Sequence, residues 1–120
     1  MRSALPAALA FALSGCALLA PCKFADHELL GAWRHVSGPS FFEEIAFERD
    51  ETGAPLFSSW LHERPEVSGT RWTVEACTLT IEAPADAEPW TFTEVRQRGS
   101  QLLLRENPES EPWIFERIPE

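Results

Sequence analysis

Ile45-Ala46-Phe47-Glu48-Arg49, then Asp50-Glu51-Thr52-Gly53, then Leu56-Phe57-Ser58-Ser59-Trp60-Leu61-His62 reads as two strands joined by a turn. In the first run, Phe41 to Arg49, Ile45 and Phe47 fall on one face and Glu44 and Glu48 on the other. This is the period-two alternation of a half-buried strand. Asp50 to Gly53 carries the polar and Gly residues of a turn. The same grammar extends in both directions. Upstream, Ala32 to Ser37 is a strand stopped by Gly38-Pro39. Downstream, Leu56 to His62 is ended by Pro65, and Thr70 to Ala76 places Trp72 and Val74 on one face. Thr78 to Glu82 places Leu79 and Ile81 on one face. The apolar parity switches between Val74 and Leu79, which requires a turn or bulge near Ala76-Cys77. Trp90 to Arg96, Gln101 to Arg105 and Trp113 to Ile118 complete eight short strands. Before them, Asp26 is placed to cap one helical turn through His27, Glu28 and Leu29, with Gly31 ending it. The expectation is an all-β domain. Eight closely connected strands meander, and closing the meander into an antiparallel up-and-down barrel removes its open edges.

The N-terminus has a different character. Arg2 is followed by an apolar run from Ala4 to Leu13, broken by Pro6. The run is shorter than the roughly 20 residues that span a bilayer. Leu13-Ser14-Gly15-Cys16 resembles a lipobox, the motif at which a bacterial lipoprotein is acylated on its Cys and cleaved. The resemblance implies a signal peptide over residues 1–15, a lipidated Cys16 with a tether over 16–28, and a barrel domain over 29–120. The rival is ordinary secretion. Cutting after Ala20 would leave Pro21 at the new N-terminus, and cutting after Ala25 would place Lys23 where a small residue is wanted. A diacylglyceryl Cys with an acylated amine carries more than the one chain that binds a membrane marginally. Ala17, not Asp, follows Cys16. By resemblance to the sorting rule of enteric bacteria, this points to the outer membrane, facing the periplasm.

With Arg2 removed, nine Lys and Arg stand against nineteen Asp and Glu, a net charge near −10. That argues against nucleic acid, whose affinity comes mainly from cations on phosphate. It leaves a cationic envelope protein open as a partner. Cys22 and Cys77 remain once Cys16 is acylated, an even number in an oxidising compartment. A Cys22–Cys77 disulfide would close a long loop, worth on the order of 4 kcal/mol in the chain-entropy model.

Leu30-Gly31-Ala32-Trp33 resembles the Gly-x-Trp entry of lipocalin-like barrels. Ile45-Ala46-Phe47 with its turn at Gly53 resembles their first hairpin, and Gly69-Thr70-Arg71-Trp72 with Leu79-Thr80-Ile81 their middle one. Phe115-Glu116-Arg117 resembles their last strand. The resemblance implies that Gly31, Trp33 and Arg117 form the closed end of the barrel, with Arg117 packed over the Trp33 indole.

Few residues suggest catalysis. His27, His35 and His62 have no metal spacing, and His62-Glu63 lacks the second His of a zinc protease. There is no nucleophile elbow and no phosphate loop. No cofactor or metal is implied, and the domain is not read as an enzyme. Glu43-Glu44 and Glu109-Ser110-Glu111 read as solvated surface. If Trp33 points inward, so does His35. If the Trp60 and His62 face is inward too, then His35, Trp60, His62 and Trp90 line a pocket mouth. Two functions follow as expectations. One is an envelope lipoprotein whose barrel binds a small apolar or amphipathic ligand. The other is a non-enzymatic envelope interaction or inhibitor lipoprotein. Periplasmic lysozyme inhibitors are similarly small and acidic, although their motifs are not found here.

Overall fold

A computed structural model describes residues 24–40 and 42–119; the expected signal segment, Cys16, Cys22 and Phe41 lie outside them. A 3-10 turn, Asp26–Leu29, precedes nine strands: β1 Gly31–Ser37, β2 Glu44–Arg49, β3 Pro55–Leu61, β4 Arg64–Glu75, β5 Thr78–Ile81, β6 Trp90–Phe92, β7 Glu94–Arg98, β8 Gln101–Arg105 and β9 Trp113–Arg117. The sheet order is β6-β5-β4-β3-β2-β1-β9-β8-β7. All pairings are antiparallel, and first and last strands are neighbours, with Trp33 opposite Arg117 and His35 opposite Phe115. The result is an all-β, nearly closed barrel.

Nine strands appear where eight are expected because the run beginning at Trp90 is broken. Thr93 divides it into β6, which pairs with β5, and β7, which pairs with β8. The two free ends of the sheet are therefore consecutive in the chain, and one residue bridges the seam. The Thr93 hydroxyl donates to the Glu106 carbonyl at 3.1 Å and ties the seam to the loop after β8.

Pro65 does not end β3. It lies within β4, opposite Trp60. The reversal is made by His62 and Glu63, with φ of 53° and 66°, between the paired residues Leu61 and Arg64. The β4–β5 reversal is built alike, by Ala76 and Cys77 (φ 50° and 63°) between Glu75 and Thr78. This is the turn required by the parity switch. Positive φ at both central residues suits a two-residue hairpin, at some strain for residues with a Cβ. The β3–β4 ladder slips at Phe57/Ser58 and again at Ser59/Trp60, and β4 carries the extra residues as bulges.

Inward residues fill the barrel. Trp33, Phe42, Phe47, Phe57, Trp72, Phe92, Trp113 and Phe115 are buried together with Ile45, Val67, Leu79, Ile81, Val95, Leu102 and Leu104. The rings meet at steep angles: Phe47 and Trp72 at 5.5 Å and 83°, Phe92 and Trp113 at 4.9 Å and 74°. Such edge contacts add to simple area burial. Ser59 is fully buried among them, and its hydroxyl has no hydrogen-bond partner among the described residues.

One end is capped by the 3-10 turn. Asp26 is its first residue and not its cap; its carboxylate instead accepts from Arg49 Nη2 at 3.2 Å. The Ala25 N–H donates to Glu28 Oε1 at 2.9 Å. Three successive carbonyls leave the turn needing donors. Glu28 O accepts from Arg117 Nη2 at 3.2 Å, Leu29 O from Trp33 Nε1 at 2.9 Å, and Leu30 O from Arg117 Nη1 at 2.8 Å. The Arg117 guanidinium lies 4.1 Å from the Trp33 ring centroid, so the stack expected from the sequence is present. Gly31 explains itself in the same geometry. A Cβ there would lie 2.6 Å from Arg117 Nη1, and its φ is +123°. Arg49 over Trp72, at 5.3 Å, repeats the pairing at this end.

The β2–β3 turn is organised by Asp50. Its carboxylate accepts from the Thr52 hydroxyl at 2.7 Å, the Ala54 N–H at 2.9 Å and the Thr52 N–H at 2.8 Å. These bonds, the Thr52 hydroxyl foremost, hold its pKa below the ordinary 3.8. A depressed carboxylate pKa stabilises the fold above the unfolded value and loses that contribution as pH falls through the folded value.

Two outcomes follow. Trp33→Ala should cost roughly 3–5 kcal/mol, and Arg117→Met a smaller amount, roughly 1.5–3 kcal/mol, from lost charged hydrogen bonds; urea unfolding measures both. Asp50→Ala should flatten the acid limb of the stability profile below about pH 4, read from urea midpoints across a pH series. An unchanged acid slope would remove Asp50 from that account.

Candidate functional site

The four residues expected at a pocket mouth do not converge. His35 is half-buried on the inner face of β1. Its Nε2 donates to the Gly38 carbonyl at 2.7 Å, and its ring meets Phe115 edge-on at 5.7 Å. Trp90 packs against Phe42 at 5.2 Å and 81°. Both have protein partners and complete the core. Trp60 is on the other side of the wall. Phe57 and Ser59 point inward from β3, so period two turns Trp60 outward. His62 belongs to the β3–β4 turn and its side chain is 79% exposed. The expectation failed on parity: the inward set of β3 is the odd-numbered one.

What Trp60 joins instead is an outer cleft of about 250 Å3 lined by Glu43, Glu44, Trp60 and Glu63. Local structure explains each position. Glu44 and Trp60 are directly paired across β2 and β3, so their side chains share the outer face. Glu43 is fixed just before β2 by its backbone: its N–H donates to the Trp60 carbonyl at 3.0 Å and its carbonyl accepts from His35 N–H at 2.9 Å. Glu63 is presented by the turn. The Glu43 carboxylate accepts the His62 N–H at 2.8 Å and lies 3.8 Å from His62 Nδ1. Glu44 lies 3.6 Å from Arg34 Nη2 in an exposed pair, which is worth little.

Three carboxylates around one indole form a cation-binding arrangement. An ammonium or guanidinium over Trp60 would be drawn to the ring face and could donate charge-assisted hydrogen bonds to the carboxylates. The cleft lies at the rim opposite the Trp33–Arg117 end, because β3 runs from that end towards His62. Sequence reading classed Glu43-Glu44 as ordinary surface. The signal that would have found the cleft is the cross-strand register of Glu44 with Trp60, which local alternation does not fix.

Among the described residues, no group of three or more His, Cys, Asp or Glu side chains is placed to hold a metal ion. No helix among them is long and apolar enough to cross a membrane. Cys77 lines a second outer concavity, of about 430 Å3, together with Phe24, Glu28 and β7. No family model, curated protein or solved structure matches the chain.

Proposed function

We propose that this is a non-enzymatic bacterial envelope lipoprotein that docks a cationic group of a partner protein in the cleft formed by Glu43, Glu44, Trp60 and Glu63. The observation carrying this reading is the half-buried Trp60 ring set among three carboxylates in an outer cleft, on a chain of formal charge −9. We prefer it to a small apolar ligand held within the barrel, because aromatic side chains occupy the interior. A filled barrel leaves the outer surface to carry recognition. The lipocalin-like resemblance is consistent with either reading, since Trp33 and Arg117 are structural in both.

Attachment at Cys16 is supported by Arg2, the apolar run and the Leu13-Ser14-Gly15-Cys16 motif. We infer an outer-membrane anchor facing the periplasm on the strength of Ala17. The Cys22–Cys77 bridge has a spatial argument as well as parity. Phe24 lines the same concavity as Cys77, and Cys22 stands two residues before Phe24. Acylation of Cys16 would leave Cys22 as the partner of Cys77.

The binding test is a titration of the purified full chain in detergent with a tetra-arginine peptide, followed by Trp60-sensitive fluorescence and NMR shifts. The shifts should centre on Glu43, Glu44, Trp60 and Glu63, and weaken with salt as exposed charges do. Trp60→Ala should raise Kd about tenfold, within the range of a cation–π contact plus desolvation. Equal binding by Trp60→Ala, or shifts centred elsewhere, would reject the cleft. Cys16→Ser should abolish acyl labelling and membrane association; retained labelling would reject the lipoprotein assignment.

A further inference from the structure

Val95, Leu102, Leu104, Trp113 and Phe115 face the core from β7, β8 and β9. Their neighbours in each strand therefore face out. Glu94, Arg96, Arg98, Gln101, Arg105 and Glu116 are polar or charged, as an outer wall requires. Leu103 and Ile114 are not. These two are direct partners across β8 and β9, and Arg96 is the partner of Leu103 on β7. The next row places Gln101 between Arg98 and Glu116. An outer groove of about 210 Å3 runs across both rows, with Arg96, Arg98, Gln101, Leu103 and Ile114 in its lining. The apolar strip reaches β1, where Val36 adjoins Ser37, the partner of Ile114, and is 52% exposed. Apolar residues scattered singly over a surface are ordinary, whereas a contiguous strip rimmed by charge marks an interaction site.

The charge beside this strip is unbalanced. Glu94 is shared by two guanidiniums, Arg96 Nε at 2.6 Å and Arg105 Nε at 2.7 Å. One carboxylate therefore serves two cations. Arg98 is exposed and forms no ion pair among the described residues. Glu116 is set apart from it by Gln101 and faces Arg34 across β1 and β9. The groove thus carries surplus positive charge on a chain whose formal charge is −9. We propose that it binds a single-chain fatty carboxylate. The alkyl chain lies along Leu103 and Ile114, and the carboxylate is held by Arg98 with Arg96 beside it. A free guanidinium fork matches the two oxygens of a carboxylate through parallel N–H bonds. The apolar stems of the arginines can flank the chain while their heads stay in water. The groove is smaller than the roughly 300–1,000 Å3 of sites for drug-sized molecules, which suits one unbranched chain. A neutral or cationic ligand would leave the arginines unanswered. This site stands on other strands than the acidic cleft and does not rest on that reading.

The test is an NMR titration of the full chain in digitonin, a detergent without a free alkyl chain. The probes are octanoate, hexanoate, acetate, octanol and octyl phosphate. Octanoate should shift the amides of Arg96, Arg98, Leu103 and Ile114, and should bind at least about tenfold more tightly than octanol, as charged hydrogen bonds imply. From hexanoate to octanoate, Kd should fall about two- to fourfold per added CH2, fourfold being the limit for full burial. Arg98→Gln should raise the Kd for octanoate at least about fivefold and leave octanol unchanged, since only a charged hydrogen-bond partner is lost. Trp60→Ala should bind octanoate as the native chain does, which keeps the groove distinct from the acidic cleft. Octanol binding as tightly as octanoate, or an Arg98→Gln variant with unchanged Kd, overturns the head-group site. Acetate binding as tightly as octanoate overturns the apolar half. Octyl phosphate binding at least about tenfold more tightly than octanoate overturns the choice of a carboxylate. The same shifts on concentrating the protein without any probe would assign the face to a second copy of the chain, and overturn the proposal.

Discussion

Three consecutive carbonyls, those of Glu28, Leu29 and Leu30, are satisfied by two side chains, Arg117 and Trp33. The barrel depends on this clasp. A short 3-10 turn has no internal partner for its last carbonyls, and here the donors come from the first and last strands. Arg117 reaches Leu30 across 87 residues of sequence and stacks on Trp33 at the same time. One guanidinium thus serves the turn, the indole and the junction of β1 with β9. The requirement propagates to Gly31, whose missing Cβ is the space Arg117 Nη1 occupies. Gly38 meets a similar demand at the opposite rim, where a Cβ would collide with the Pro112 carbonyl.

The clasp fixes one end and frees the other to vary. Once β1 is held between β2 and β9, the order of every later strand follows by short antiparallel links. Part of the irregularity lies towards the other rim: the Ser59/Trp60 slip of the β3–β4 ladder and the non-glycine turn at His62 and Glu63. The acidic cleft is built from this looser half. Glu43 enters β2 through backbone bonds to His35 and Trp60, and Glu63 is delivered by a turn with positive φ. Such strained, surface-exposed elements are where recognition is commonly placed on a rigid frame.

The readable parts of the sequence were those governed by local alternation. Ile45 and Phe47 alternate with Glu44 and Glu48, and they occupy the inner face. The parity change between Val74 and Leu79 marked the turn at Ala76 and Cys77. Gly31, Trp33 and Arg117 were legible as an end-to-end contact through the resemblance of the Gly31-Ala32-Trp33 entry and the Phe115-Glu116-Arg117 exit to those of lipocalin-like barrels. Other features answered to tertiary context. Pro65 reads as a strand terminator, yet it sits in β4, where a slipped ladder tolerates the missing N–H. His62-Glu63 lacks the Gly or Asn that announces a tight hairpin, so β4 begins six residues before its expected start. Trp60 alternates cleanly, but nothing local says which of its faces is inward. Thr93 carries no breaker residue, and its break reflects a choice between two neighbouring strands.

Joining β1 to β9 also sets when the domain can exist. The contacts that hold the clasp pair the beginning of the domain with its final strand, so a chain emerging N-terminus first has nothing to close upon until Arg117 arrives. Short hairpins can form along the way, but the inner aromatic surface stays uncovered for the whole of that interval. Long-range pairing of this kind is slow relative to local contacts. A nascent chain of this design would therefore stay extended through most of its synthesis and acquire its shape late. Until then, shielding of its Trp and Phe residues would have to come from outside the chain.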